Sequence, residues 1–166
     1  MPIRSLYIAE RVALWRAHAN AIHLCRRVFS SSDMTLCLPV EMLMSARPTP
    51  ARLEGIRNDY RRICQKIQSL DPGSDAAFRR DTGENCYAYV YPHNDQTIYL
   101  CNLFFWAPRQ GIDSCAGALI HEVSHFMSVL GTGDYAYGAN TLSLPFSQAR
   151  RNADGYEYIA EHFMTS

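Results

Sequence analysis

The sequence predicts an α+β domain, mainly helical, with a small antiparallel sheet. Three observations carry this. Leu53, Ile56, Tyr60, Ile63, Ile67 and Leu70 recur at spacings of 3, 4, 3, 4 and 3, the apolar stripe of a core-facing helix. Cys86–Pro92 and Thr97–Cys101 are β-rich segments separated by His93-Asn94-Asp95-Gln96, the pattern of a hairpin. Ala116, Leu119, Ile120, Val123, Phe126 and Met127 then mark a further buried helix face.

The elements follow in order. Ile3 to Val28 reads as one helix, with Leu6, Tyr7, Leu14, Trp15, Ile22 and Val28 at near-helical spacing and no glycine. Ser30–Asp33 is a break. Leu36–Ser45 is a short apolar stretch in which Pro39 argues against a central strand. Thr49 is placed to cap the second helix, with Pro50 at its first position, and Asp71-Pro72-Gly73 ends it. Ala107–Gly111 is a loop, Asp113 can cap the third helix, and Gly131 stops it. Residues 131–151 are irregular, and Ala153–Phe163 closes the chain as a helix. No repeat or linker divides the 166 residues. A single domain is expected, with a helical part at about 1–72 and a sheet-plus-helix part at about 84–166.

Composition excludes several functions. Sixteen basic residues balance 16 acidic ones, so there is no electrostatic footprint for nucleic acid or an anionic membrane. The longest uncharged runs, Gln96–Pro108 and Tyr135–Ala149, are interrupted by polar and turn residues and are too short to span a bilayer. No secretory signal is visible at the start, where Arg4, Glu10, Arg11 and Arg16 break the apolar run. Six cysteines without a CxxC pair argue against a zinc ribbon or a thioredoxin-like motif. The basic residues are 15 arginines and one lysine, Lys66.

His121-Glu122-Val123-Ser124-His125 carries the chemistry. Two histidines four apart share one face of a helix and can hold one metal ion. Glu122 beside them reaches a water at the metal rather than the metal itself, the position of a general base. Zinc in a catalytic site needs a third protein ligand and an open fourth position. Ser128 and Gly131 exclude the metzincin pattern of a third histidine. Spacing favours Asp134, just past the Gly131-Thr132-Gly133 turn, while Glu157 and Glu161 on the last helix stay available. His18, His23, His93 and His162 suit ordinary roles, and the dispersed Arg-Arg pairs suit solvated faces.

His121–His125, then Gly131-Thr-Gly-Asp-Tyr-Ala-Tyr-Gly138, then Asn152-Ala-Asp-Gly-Tyr-Glu-Tyr158 resemble the aspzincin metallopeptidases: deuterolysin and, more closely, the fungal peptidyl-Lys metalloendopeptidases. The resemblance continues through Tyr89–Pro92, Ile98–Cys101, Phe105–Pro108 and Gly111–Ser114, so it covers about half the chain. It implies a zincin-like fold and a secreted or exported, monomeric zinc metalloendopeptidase acting on protein or peptide, with cleavage on the amino side of lysine. It implies one zinc ion on His121, His125 and Asp134, Glu122 as base, and Tyr137 as donor to the developing oxyanion, with Tyr135 its decoy neighbour. It places Asp154 and Glu157 near the pocket for the residue after the scissile bond, and pairs Cys86 with Cys101 in a disulfide. Zincins hold substrate by addition to an edge strand, here Thr97–Cys101. Two other functions fit the same motif: a peptidoglycan peptidase or amidase acting as an effector, and a non-catalytic zinc-containing binding module.

Overall fold

The computed structural model describes residues 2–44 and 47–164. Strand β1 (Ile3–Arg4) leads into α1 (Ile8–Phe29), α2 (Asp33–Leu43) and α3 (Pro50–Ser69). Strands β2 (Phe78–Asp81), β3 (Ala88–Val90) and β4 (Ile98–Leu100) follow, then α4 (Cys115–His125), the short α5 (Phe146–Ala149) and α6 (Ala153–His162). Leu103–Trp106 and Gly138–Ser143 form 3₁₀ turns.

The first expected helix divides in two. Glu10 accepts from the Tyr7 backbone N–H at 2.8 Å, which starts α1 only at Ile8. The same carboxylate takes both Arg4 nitrogens at 2.8 Å and Arg80 Nε at 3.0 Å, so it ties β1, α1 and β2 together. Burial opposes its charge, yet these donors lower its pKa to about 2. Leu14 and Val28 lie in the core, whereas Trp15 is half exposed.

The stretch at Leu36 is a helix. Leu36, Pro39 and Val40 fall at helical spacing and are buried, and Ser32 caps α2 by accepting from Thr35 N at 3.2 Å. Ser45, the end of that apolar stretch, lies outside the described residues. Helix α3 follows its predicted stripe. Thr49 caps it by accepting from Arg52 N, and Leu53, Ile56, Tyr60, Ile63 and Ile67 are buried against α1 and α4.

The sheet is mixed rather than antiparallel, in the order β1-β2-β4-β3. The hairpin β3–β4 is present, with Tyr89 opposite Tyr99, but β4 also pairs in parallel with β2. Thr97–Cys101 is therefore interior on both sides; the edge strands are β1 and β3. Cys86 and Cys101 are neighbours as expected, their sulfurs 2.9 Å apart with no covalent bond between them. A covalent bridge needs about 2.05 Å.

Helix α4 runs through the centre, with ten of its eleven residues buried against α1, α3, α6 and β3. Its cap is Ser114, which accepts from Gly117 N at 2.9 Å, and not Asp113. Asp113 instead sits at φ 56° in the preceding loop. The helix ends at His125; Phe126 is buried and Met127 is exposed, one residue pair short of the predicted face. No described helix is long and apolar enough to cross a membrane.

Glu161 of α6 reinforces this N-terminus. It accepts from Ser114 N at 2.7 Å, Ser114 Oγ at 2.8 Å and Asp113 N at 3.2 Å. A Cβ on Gly117 would lie 2.2 Å from Glu161 Oε1 and 3.0 Å from Glu157 Cγ. Gly117→Ala gains helix propensity but forces α4 and α6 apart, so it should lose about 1–3 kcal/mol of stability. An unchanged or higher urea midpoint would contradict this packing.

Burial and the Glu157 carboxylate push Glu161 from its ordinary 4.5 up to about 8, against the hydrogen bonds from Ser114 and Asp113. The folded protein then holds a proton that the unfolded chain releases. Stability from this group is complete below pH 4.5 and falls as pH rises towards 8. Glu161→Gln keeps an acceptor and cannot ionise. Its urea midpoint should vary less with pH over that window than the wild type's, and an equal slope would count against the assignment.

Candidate metal centre

The central position of α4 puts His121, Glu122 and His125 in the interior, at the floor of a cleft of about 760 Å³ roofed by β3. The loop after α4 is then folded back over them. Gly131 adopts φ 60°, a left-handed turn that glycine makes without strain. Thr132 N donates to Ser124 O at 3.1 Å, and the Ser124 and Thr132 hydroxyls meet at 2.7 Å. Gly133 pairs with the start of α6 through Arg151 O and Ala153 N. Asn152 clamps the loop: its Oδ1 accepts from Tyr135 N and Ala136 N, and its Nδ2 donates to Ala136 O.

This lacing brings Asp134 Oδ1 to 3.1 Å from His121 Nε2 and 3.4 Å from His125 Nε2. The opposite ring nitrogens face protein acceptors. His125 Nδ1 lies 2.9 Å from Thr132 O, and His121 Nδ1 lies 3.0 Å from Glu157 Oε2 and 3.1 Å from Asp154 Oδ1. Protons held on Nδ1 leave the Nε2 lone pairs of both rings facing Asp134.

Among the described residues, two groups of buried donors are close enough to hold a cation: His121, Glu122 and His125, and His121, Asp154 and Glu157. The second surrounds Nδ1 of His121 alone, so Asp154 and Glu157 act on that ring from behind. The nitrogens shared with Asp134 form the better centre. Two imidazole nitrogens and a carboxylate oxygen are ordinary zinc donors, and each imidazole has an acceptor behind it. The chemistry of the donor set therefore fits zinc. Glu157 and Glu161, the other candidate ligands, lie behind His121 and at the α4 cap respectively.

The charges reflect this crowding. Burial opposes a charge on His121, but Asp134, Asp154 and Glu157 hold its imidazolium well above the usual histidine range. Burial likewise opposes the Asp134 carboxylate, and the two histidines hold its pKa well below normal. Burial raises Glu122 despite the two histidines. Tyr137 stacks on His121 with ring centroids 6.3 Å apart; burial and a hydrogen bond to Asp134 push its phenol up to about 12. It lines the cleft, and Tyr135 does not.

All seven residues singled out in the sequence thus meet in one place. Asp154 and Glu157 line the same cleft, but one carboxylate oxygen of each is turned onto His121. Local pattern did not single out Thr132 and Asn152, although both lie inside the quoted motifs. Their contacts bridge segments 7 to 17 residues apart. Glu157→Gln leaves His121 a weaker acceptor and should lower zinc affinity by about 10–100-fold. Competition with a chromogenic chelator checks this, and unchanged affinity would refute the orienting role.

A central HExxH helix, a carboxylate loop and a small sheet above them define the zincin-like metallopeptidase fold. Residues 49–161 match the aspzincin family model, described as lysine-specific metallo-endopeptidase. The chain belongs to that family. It is 49% identical over 85 residues to a peptidyl-Lys metalloendopeptidase of Armillaria mellea, covering 49% of this chain and 24% of that protein. It is 45% identical over 101 residues to an extracellular protease of Aeromonas hydrophila, covering 58% and 29%. The chain thus spans about a quarter of the length of these relatives. A solved zinc peptidase from Grifola frondosa superposes with a TM-score of 0.80 at 30% identity, over 95% of this chain and 98% of that one.

Proposed function

We propose that this chain is a zinc-dependent endopeptidase that works outside the cell that makes it and cuts proteins on the amino side of lysine. One observation carries the hydrolytic reading. His121 Nε2 and His125 Nε2 converge on Asp134 in an open cleft, with Glu122 on the same helix and an edge strand above.

His121, His125 and Asp134 would hold a single zinc ion. Bound there, zinc would supply Lewis acidity to a water molecule and to the peptide carbonyl. Glu122 takes a proton from that water at its carboxylate and passes it to the leaving amine nitrogen. Its buried position raises its pKa, which suits a group that must both accept and return a proton. The Tyr137 hydroxyl donates to the carbonyl oxygen as charge develops there. Strand β3 offers its free edge to align the peptide.

The lysine preference rests on the cleft's charge. Asp113, Asp154 and Glu157 line it, and no lysine or arginine does so among its described lining residues. The Aeromonas relative's name supports an extracellular working place. The chain's one lysine, Lys66, lies on α3 with Nζ 3.2 Å from Asp95 and above the Phe126 ring, sheltered from such an activity. Matched peptides with lysine, arginine or leucine after one scissile bond test the preference. Lysine should be cleaved fastest, and equal rates would remove the lysine assignment.

A further inference from the structure

Beside the metal cleft lies a second cavity of about 580 Å³. Its apolar walls come from three separate segments: Met42 on α2, Ile112 in the loop before α4, and Leu142 in the turn Gly138–Ser143. These side chains are 55%, 69% and 51% exposed. Apolar side chains gathered into an open concavity mark a binding surface rather than core.

The two cavities share Asp113, Gly138 and Tyr158, so they form one depression with a waist. The waist is fixed by hydrogen bonds. Gly138 N donates to Asp154 Oδ2 at 2.9 Å, and Tyr158 Oη donates to Asp113 Oδ1 at 3.3 Å. Gly138 has φ 57°, and a Cβ there would lie 4.0 Å from Tyr158 Oη. A longer side chain would fill the gap, so the glycine keeps it open.

The strand direction says which part of a substrate meets this cavity. The end of β3 lies past His125, where Pro92 O accepts from Met127 N at 2.9 Å. Its start lies by Tyr87, which lines the metal cleft together with Asp113 and Glu157. A peptide added antiparallel to β3 runs its C-terminal half toward Tyr87, Asp113 and the second cavity.

We propose that this cavity is a subsite for a large apolar side chain of the substrate, a few residues beyond the scissile bond on its C-terminal side. The inference rests on the endopeptidase reading. The enzyme then selects two features at once: a cation beside the metal and an apolar anchor downstream.

Two lysine peptides test it, identical except for leucines or serines at the second to fourth positions after the scissile bond. The wild type should favour the leucine peptide by about tenfold in kcat/KM, expressed mainly in KM. The double variant Met42→Gln, Leu142→Gln should bring the ratio close to one. Ile112→Gln alone, at an exposed site, should lower it less and guards against a folding defect in the double variant. Equal cleavage of both peptides by the wild type, or a ratio unchanged in the folded variants, overturns the subsite alone. Cleavage of neither peptide by the zinc-loaded wild type overturns the endopeptidase reading and the subsite with it.

Discussion

Glu122→Gln should keep its zinc and lose about 10²–10⁴-fold in peptide cleavage, the usual contribution of a positioned general base. The two properties separate because the ligand atoms belong to other residues. His121 and His125 present Nε2 to Asp134, and Glu122 lines the same cleft from the same helix without facing Asp134 as they do. The amide matches the carboxylate in size, so α4 repacks little. It cannot accept the water's proton or return it to the amine. Zinc content by atomic absorption and kcat on a lysine peptide give the two readouts. Retained cleavage would remove Glu122 from the mechanism, and lost zinc would make it a ligand.

Asp134→Ala should have the opposite signature, with zinc and activity lost together. The carboxylate lies within 3.4 Å of both Nε2 atoms, and its loop is held by Thr132, Gly133 and Asn152 rather than by the carboxylate itself. The fold should therefore survive while affinity falls by more than the roughly 10–100-fold expected for an orienting residue such as Glu157. Circular dichroism separates unfolding from metal loss. Normal zinc content in Asp134→Ala would transfer the third ligand to Glu157.

The contrast between these residues shows what the sequence makes legible. HExxH can be read locally because a helix puts positions four apart on one face. Asp134 can be read as a carboxylate just beyond a glycine turn. The action of Glu157 on His121 spans 36 residues and depends on how α6 packs against α4, which no local pattern encodes.

The fold divides in the same way. The α3 stripe and its Thr49-Pro50 start are local and appear as read. Strands β1 and β2 are two and four residues long. Arg80 in β2 looks like part of a solvated Arg-Arg pair. It is buried because Glu10, Leu100 O and Asn102 Oδ1 satisfy it from distant parts of the chain. That misses the parallel β2–β4 pairing and makes Thr97–Cys101 look like an edge. Pro39 hides α2, since proline weighs against any regular element, yet here it lies within a helix between buried Leu36 and Val40.

If this cleft hydrolyses peptide bonds through a metal held by His121, His125 and Asp134, cleavage must follow the metal. The most direct measurement is a cleavage map by mass spectrometry. Denatured protein and peptidoglycan are each incubated with zinc-loaded enzyme, with chelated enzyme, and with chelated enzyme given zinc again. The proposed reaction should give protein cuts on the amino side of lysine, their loss on chelation, their return with zinc, and intact peptidoglycan. Cuts that persist after full zinc removal, or cleavage of peptidoglycan in place of protein, would contradict it.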